Sequence, residues 1–368
     1  MAAFRSKPAL FFLAAGLLFV LLWIALLRPD DSQASSGSVF VNSGTLELTA
    51  TPYSGSAMTL QMYSPAGDPS TVYIRTNDGV AGDGLSAVSG CQSVSDLPAP
   101  YNNSWFDLLP ATASNIECSG VANIQIDLTN ATPLNGGGTG SIHLMAPLPG
   151  SAPGSSSPRT TITPGANDLF AEFVPSNSVI QGGAGNSTIL LGRYPGEYWM
   201  SDPQYLPTNV QVSGGGGNDS VNFSGSDGSN VNVSLDGVAN DGFAGQGINV
   251  GNDFKNIMCD TCKVDASEAT SAVSIQSWGA ADSVITGSSF GDTIKTTAGT
   301  VNAGDGDDQI TLGVDGCTGP MTATAHGGAG NDSLTEWIAP GSSFTWDPGT
   351  GTNPAPTVHS LTAFCRSG

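Results

Sequence analysis

Five glycine-rich turns carry the residues of this chain that are best suited to chemistry. Each turn places at least two glycines ahead of an Asp or a Ser, and a short run of β-forming residues follows it; the turns occupy 182–187, 214–219, 287–292, 303–308 and 327–332. Glycine permits backbone angles that are closed to other residues, so successive carbonyl oxygens can turn inward, and the final Asp adds a charged oxygen. Oxygen ligands of this kind suit a hard cation such as Ca²⁺.

When the five turns, named here by their first residues, are aligned, they follow the pattern G-G-x-G-x-D-x-U-x, where U is a large aliphatic residue. The 214 and 327 turns match every defined position, and the 287 and 303 turns keep the Asp and the aliphatic residue. The 182 turn has Ser187 in place of the Asp. The chain therefore resembles the RTX, or haemolysin-type, calcium-binding repeat family of exported bacterial proteins.

The resemblance implies both a fold and a set of calcium ligands. In this family, Ca²⁺ lies between adjacent turns of a right-handed parallel solenoid, a β-helix or β-roll, and binds the sixth-position Asp and the carbonyl oxygens of the first and third positions. Carried over residue by residue, the carboxylate ligands are Asp219, Asp292, Asp308 and Asp332. The carbonyl ligands are Gly214, Gly216, Gly287, Ser289, Ala303, Asp305, Gly327 and Ala329. Because Ser187 has no charge, we expect the 182 turn to bind calcium weakly or not at all.

The spacing of the turns predicts which neighbours form a complete site. Successive turns begin 32, 73, 16 and 24 residues apart, so only the 287 and 303 turns are separated by about one circuit of the backbone. We therefore predict the strongest site between Asp292 and Asp308, and an incomplete site at the 327 turn. A further glycine-containing turn at 225–230 is a candidate neighbour of the 214 turn.

A second resemblance covers residues 235–257, LDGVANDGFAGQGINVGNDFKNI. The segment is similar to one found beside the repeats in exported bacterial calcium-binding proteins. In those proteins, a Glu and an Asp often stand at the positions of Gln246 and Ile248. Because both carboxylates are missing here, we do not predict an ion at this point.

The composition supports an extracellular calcium-binding protein of the all-β class. The chain has 368 residues with 49 Gly and 23 Pro, and its 31 acidic residues outnumber 10 Lys and Arg. Of the acidic residues, 25 are Asp and 6 are Glu; this bias suits turns and calcium ligation rather than a merely soluble surface. So acidic a chain is a poor candidate for binding nucleic acid.

An apolar segment at 9–27 is the only membrane-length stretch in the sequence, and it predicts an N-terminal hydrophobic helix. It is either a membrane anchor or a signal peptide cleaved near Ser32 or Ala34. Arg5 and Lys7 place the N-terminus in the cytoplasm, so the remainder is expected to be extracellular or on the cell surface. Contact with the membrane is then expected only through this segment, if it is retained.

The segments of the chain are predicted from changes in composition. We assign a signal anchor or signal peptide to 1–34, an N-terminal β region to 35–145, a loop rich in Pro, Gly and Ser to 146–166, the calcium-binding solenoid to 167–340, and a C-terminal tail to 341–368. Alternating apolar residues predict strands before 135, and no helix of useful length is predicted there.

Six cysteines follow the apolar segment, an even number that indicates disulfides in an oxidising compartment. Proximity along the chain favours Cys91 with Cys118, Cys259 with Cys262, and Cys317 with Cys365, although other pairings are open. Cys259 and Cys262 also form a CxxC motif, for which a redox or zinc role is an alternative.

Three other functions compete with calcium binding as the main role of the chain. The turns could be structural corners without an ion, in which the Asp caps backbone N–H groups. The chain could be a surface adhesin or structural protein that calcium only supports, with an extracellular polysaccharide or protein as its partner. A carbohydrate-active enzyme on a parallel β-helix is the third, but no basic residue clusters with an acidic pair in the sequence, so we predict that the chain is not an enzyme.

Overall fold

The fold is given by a computed structural model that describes residues 36–51, 58–64, 68, 70–76, 85–95, 114–127, 141–145, 158–166, 168–172, 174–192, 207–224, 231–278, 283–313 and 320–360. These residues form an all-β structure, as predicted. The predicted N-terminal helix, the 225–230 turn and the pair Cys317 and Cys365 lie outside the described residues. Within the described ranges, no helix has the length and apolar character needed to cross a membrane.

The strands are numbered in chain order. The first nine are β1 (Ser36–Asn42), β2 (Thr45–Thr51), β3 (Met58–Tyr63), β4 (Val72–Thr76), β5 (Leu85–Ala87), β6 (Cys91–Val94), β7 (Ser114–Cys118), β8 (Asn123–Asp127) and β9 (Ser141–Met145). The next nine are β10 (Arg159–Thr163), β11 (Asp168–Glu172), β12 (Val179–Gln181), β13 (Ser187–Leu190), β14 (Gln211–Ser213), β15 (Ser220–Phe223), β16 (Val231–Ser234), β17 (Asn249–Val250) and β18 (Asn256–Cys259). The last ten are β19 (Cys262–Asp265), β20 (Ser274–Ser277), β21 (Val284–Thr286), β22 (Thr293–Thr296), β23 (Gly299–Asp305), β24 (Gln309–Leu312), β25 (Thr322–Ala329), β26 (Ser333–Ile338), β27 (Ser343–Asp347) and β28 (Thr357–Ser360).

These strands pair into three sheets. The first sheet has the order β17-β14-β12-β10-β8-β2-β1-β5, and the second has the order β28-β26-β24-β22-β20-β18-β15-β13-β11-β9-β3-β4-β7-β6. The third sheet has the order β16-β19-β21-β23-β25-β27. From β8 to β15 the chain alternates between the first and second sheets, and from β18 to β28 it alternates between the second and third. Strands that are neighbours in a sheet are thus joined through a strand of another sheet.

The two ends of the described chain differ in strand direction. Antiparallel pairs occur near the N-terminus, where β1 pairs with β2 and β4 pairs with β3 and β7. From β8 onward, the pairs of neighbouring strands are parallel. A disulfide joins Cys91 to Cys118, which face each other on β6 and β7, so this predicted pairing is confirmed.

Stacked aliphatic side chains form the core of the parallel region. The U residues of the five turns are Ile189, Val221, Ile294, Ile310 and Leu334, and each is at most 2% exposed. They lie in register in the second sheet, where Ile257 and Ile275 fill the strands between Val221 and Ile294. This column explains the aliphatic position of the repeat, since each strand contributes one such residue to a continuous buried row.

The predicted segment boundaries do not interrupt the strand pairing. β10 lies inside the segment 146–166 that was predicted to be a loop, and it pairs in parallel with β8 and β12. Its sequence, RTTIT, is rich in the β-branched residues that strands favour. Strands β27 and β28 likewise lie within the predicted C-terminal tail and extend the same sheets.

A second disulfide closes the corner between β18 and β19. Cys259 and Cys262 are bonded to each other and fully buried, so this predicted pairing is also confirmed. Because β18 belongs to the second sheet and β19 to the third, the bond ties the two sheets together at this corner.

Candidate metal site

The sixth positions of the glycine-rich turns stack into one row, which we call the aspartate column. Each member immediately precedes, or begins, a strand of the second sheet; in the order of pairing, the column contains Ser187, Asp219, Lys255, Val273, Asp292, Asp308 and Asp332. Its four aspartates are at most 1% exposed. The predicted carboxylate ligands therefore share one place in the fold, and three of them lie on consecutive strands.

Each aspartate of the column bonds the backbone of the preceding strand. Oδ1 of Asp332 accepts the N–H of Asp308 at 3.0 Å, and Oδ1 of Asp308 accepts the N–H of Asp292 at 2.7 Å. Oδ1 of Asp219 accepts the N–H of Ser187 at 2.7 Å. These bonds bridge neighbouring turns directly, as the structural-corner interpretation requires, but they use one oxygen of each carboxylate.

The second oxygen distinguishes a metal site from a structural corner. Oδ2 of Asp219, Asp308 and Asp332 is buried and has no hydrogen-bond partner. A buried carboxylate oxygen without a partner is costly, because no group of the protein replaces the hydration that it loses on folding. We call these three atoms the free oxygens; a cation bound at them would remove the cost.

Asp292 differs from the other three because both of its oxygens are bonded. Oδ1 accepts the N–H of Val273 and the hydroxyl of Ser288, each at 2.8 Å, and Oδ2 accepts the N–H of Ser288. Ser288 stands where four of the five turns have glycine, and it does not adopt a positive φ. The protein itself therefore satisfies the carboxylate of Asp292, which leaves Asp308 and Asp332 as the neighbouring pair with free oxygens.

The first glycine of the motif makes room for the carboxylate. A Cβ atom placed on Gly327 would lie 2.4 Å from Oδ2 of Asp332, and one placed on Gly214 would lie 2.9 Å from Oδ2 of Asp219. The aspartate folds back over its own turn, and this position must therefore remain small.

The second glycine is required by a close approach between turns. Gly328 has φ +110°, and a Cβ atom there would lie 1.8 Å from the carbonyl oxygen of Gly304 in the turn below. We expect Gly328→Ala to destabilise the fold by about 3 kcal/mol or more, from backbone strain and the clash together. Gly216→Ala is the matched control, because its Cβ would lie 3.7 Å from the nearest atoms. Urea unfolding of both variants tests this expectation, and equal losses of stability would contradict it.

The 303 and 327 turns are direct neighbours, although 24 residues separate their first positions. Gly304 pairs with Gly328 and Asp308 with Asp332 across the parallel strands β23–β25 and β24–β26. The extra residues lie between β24 and β25, where 314–319 are outside the described residues. The expectation that the 327 turn lacks an adjacent partner is therefore wrong. Likewise, the 182 and 214 turns are neighbours, with the N–H of Gly216 bonded to the carbonyl of Gly183 at 2.7 Å.

Three of the eight predicted carbonyl ligands, Gly214, Ala303 and Ala329, lie at the contacts between turns. The carbonyl oxygen of Ala303 faces Gly287, where a Cβ atom would lie only 2.0 Å from it, and that of Gly214 faces Gly182 in the same way. The carbonyl of Ala329 accepts the N–H of Gly306 at 2.7 Å. A carbonyl oxygen has two lone pairs, so such a bond does not exhaust its capacity to bind a cation.

A sixth turn, at 348–353, was missed at the sequence level. Thr350 pairs with Ala329. Oδ1 of Asn353 accepts the N–H of Asp332 at 2.5 Å, just as Oδ1 of Asp332 accepts the N–H of Asp308. The sequence PGTGTN keeps the second and fourth glycines and replaces the Asp by Asn, and those glycines are the signal that could have revealed it. The aspartates thus stop at a neutral residue that satisfies the same backbone group.

Burial and repulsion between carboxylates both raise the pKa values of aspartates in the column. Burial, assisted by the carboxylates of Asp292, Asp332 and Asp307, raises the pKa of Asp308 to about 7, although the hydrogen bond from the Asp292 N–H opposes the rise. Burial likewise raises the pKa of Asp332 and of Asp219. Near neutral pH and without a cation, Asp308 is therefore close to taking up a proton.

This perturbation predicts how the calcium-free protein responds to pH. The pKa of Asp308 is about 7 in the folded protein, against an ordinary value of 3.8. The folded state consequently binds more protons than the unfolded state between about pH 4 and 7, so stability should rise as the pH falls through that window. Thermal unfolding in a chelator from pH 8 to pH 5 measures the effect. An Asp308→Asn variant should lose the part of the rise near pH 7, and an unchanged profile would contradict the assignment.

The segment 235–257 folds around a different carboxylate. Asp241 is 1% exposed and accepts the N–H groups of Ser234 and Val250, and burial raises its pKa to about 6. Gln246 bonds the N–H of Phe243 and the carbonyl of Pro207, and Ile248 is buried in the core. Gln246 and Ile248, the two positions at which the resemblance implies carboxylates, thus have structural roles here.

The protein atoms that could bind a metal at the aspartate column are all oxygens. Within the part of the chain that the structure describes, no group of three or more His, Cys, Asp or Glu side chains is arranged to hold a metal. A cation at the column would therefore combine the free oxygens with backbone carbonyls. Comparison with protein-family models, curated proteins and solved structures finds no match to this chain.

Proposed function

We propose that this chain is an exported calcium-binding protein, in which the stacked turns of a right-handed parallel solenoid hold Ca²⁺ with Asp308 and Asp332 as carboxylate ligands. The single observation that carries the proposal is the pair of free oxygens on neighbouring strands, each buried and without a hydrogen-bond partner. The other oxygen of each carboxylate, Oδ1, accepts a hydrogen bond from a backbone N–H group. A cation supplies the interaction that remains.

The nature of the donors supports calcium over other metals. Carboxylate and carbonyl oxygens are the ligands of hard cations, whereas zinc and copper sites draw on nitrogen or sulfur. Ca²⁺ accepts a larger and more flexible oxygen shell than Mg²⁺, which suits carbonyls presented by stacked turns. Bound calcium would neutralise the column and favour the charged form of Asp308.

In this proposal the ion acts on stability rather than on a substrate. Three consecutive aspartates repel one another when no cation is bound, so the turns from 287 to 332 are the part of the chain that depends on calcium. A ligand that binds only the folded state stabilises it by about 2.7 kcal/mol when its free concentration is one hundred times its dissociation constant. The bound ion therefore links folding to the calcium concentration outside the cell.

The test is the thermal unfolding of the full-length chain in calcium, in magnesium and in a chelator. We expect calcium to raise the unfolding temperature by about 3–5 °C for a stabilisation of that size in a chain of this length, and magnesium at the same concentration to raise it much less. Equal unfolding temperatures in calcium and in chelator would refute the proposal.

A further inference from the structure

Asp219 has a neighbour in the aspartate column unlike that of any other aspartate. Ser220 pairs with Asn256, so Lys255 on the adjacent strand takes the position where the 303 and 327 turns have a carboxylate. Its backbone N–H donates to the carbonyl of Asp219 at 3.2 Å, and its Nζ donates to the carbonyl of Gly217 at 2.5 Å. The ammonium group thus binds a carbonyl oxygen of the 214 turn.

The same segment also binds the N–H groups of that turn. The carboxylate of Asp253 accepts the N–H of Gly214 at 2.9 Å through Oδ1 and that of Gly215 at 2.8 Å through Oδ2. One short stretch of chain therefore presents an anion to the donors of the 214 turn and a cation to one of its acceptors. On the other side of the turn, Ser187 supplies no charge.

Among the residues that the structure describes, none clamps the 303 or 327 turn in this way. Five Lys and Arg residues lie in the described part of the chain, namely Arg75, Arg159, Lys255, Lys263 and Lys295. Within that part, Lys255 is the sole basic member of the aspartate column, and the column from Asp292 to Asp332 holds only carboxylates. The two halves of the column therefore differ in charge, because Lys255 offsets Asp219 in the first half and no basic residue offsets the three aspartates of the second.

We infer that Lys255 is a built-in cation that takes the place of Ca²⁺ at the 214 turn: its charge offsets that of Asp219 without a direct bond to the free oxygen Oδ2, so that this turn is held without calcium while the 303 and 327 turns require it. The inference rests on the proposed calcium function of the other turns and determines which copies of the motif take part. Lysine is suited to the role because its ammonium group is a compact point charge with three donors on a flexible stem. The 214 turn therefore matches every defined position of the motif and still does not depend on calcium.

Two variants test the inference by counting the calcium ions bound per chain. Lys255→Asp places a carboxylate opposite Asp219 and should add one bound calcium relative to the full-length wild-type chain. Lys255→Met is the matched control, which keeps the apolar stem and removes the charge; it should leave the number unchanged and lower the unfolding temperature in chelator. Equilibrium dialysis against calcium chloride gives the numbers, and circular dichroism confirms folding.

A third variant decides the matter if Lys255→Asp does not fold. Asp219→Asn should leave the number of bound calcium ions at the wild-type value, and a loss of one ion would overturn the inference. A folded Lys255→Asp variant with no additional ion would also overturn it. Failure of the proposed function looks different, because the wild type would then bind no calcium. Under that outcome, one ion bound to Lys255→Asp alone would support only the part of the inference that concerns Lys255 at the 214 turn, and would overturn the calcium requirement of the other turns.

Discussion

Replacing Asp308 by Asn is expected to make the protein more stable than the wild type without calcium and less stable than the wild type with calcium. In a chelator at pH 8, the variant should unfold at a higher temperature than the wild type, because a neutral amide avoids the burial and repulsion of a charge that lies between two other carboxylates. Removing such an uncompensated group is worth on the order of 1–2 kcal/mol, or a few degrees. In saturating calcium the order should invert, since the variant has lost a ligand and the wild type gains the binding energy.

Asp305→Asn provides the control for this experiment. It removes one charge from the same turn, but the side chain of Asp305 is exposed and only its backbone carbonyl is a predicted ligand. We expect this control to follow the wild type in both conditions. If Asp308→Asn lowered stability by the same amount with and without calcium, the carboxylate would have a structural role alone.

Calcium removal is expected to loosen one part of the fold rather than the whole. Amide hydrogen exchange should speed up in β22 to β26, around the Asp308 and Asp332 carboxylates, by up to about one hundred-fold for a loss of 2.7 kcal/mol. Exchange in β8 to β12 should change little, because those strands lie far along the sheets from these turns. Mass spectrometry of peptides after timed labelling resolves the two regions.

The comparison within one molecule makes this experiment self-controlled. The 182 and 214 turns stack as neighbours along the same sheet as the 303 and 327 turns, and they are expected to keep their protection in chelator. A uniform increase in exchange along the chain would contradict a local calcium site and would point to a general loss of stability.

The all-β class and the buried aliphatic column could be predicted because they depend on local pattern. The motif places one large aliphatic residue two positions after each aspartate, and each such residue is buried in register with its neighbours. Cysteine proximity also identified both of the disulfides that lie in the described residues. Such features follow from strand alternation and short chain separation, which one sequence makes visible.

The adjacency of the turns could not be predicted from their separation along the chain. Residues inserted between two parallel strands extend a loop at the corner and do not change which strands pair. The 303 and 327 turns are direct neighbours for this reason, whereas the intervening strands β18 and β20 separate the 214 and 287 turns. Spacing counts residues, but pairing depends on the register of the hydrogen-bonded strands.

The quality of each candidate site also depended on side chains outside the motif's main positions. Ser288 donates hydrogen bonds to both oxygens of Asp292, so the pair Asp292 and Asp308 is no longer the preferred metal site. Asn353 ends the series of aspartates. Lys255 lies in no recognisable repeat, and its position opposite Asp219 appears only when the strands are paired. These contacts are long-range in sequence, so a motif match alone cannot rank the sites.

A calorimetric calcium titration of the wild type and of the Asp308→Asn/Asp332→Asn double variant tests the central claim most directly. The account predicts saturable binding to the wild type and its loss in the double variant, while circular dichroism shows that both chains keep their β structure. Calcium binding of equal stoichiometry and affinity in the two proteins, or none in the wild type, would contradict it.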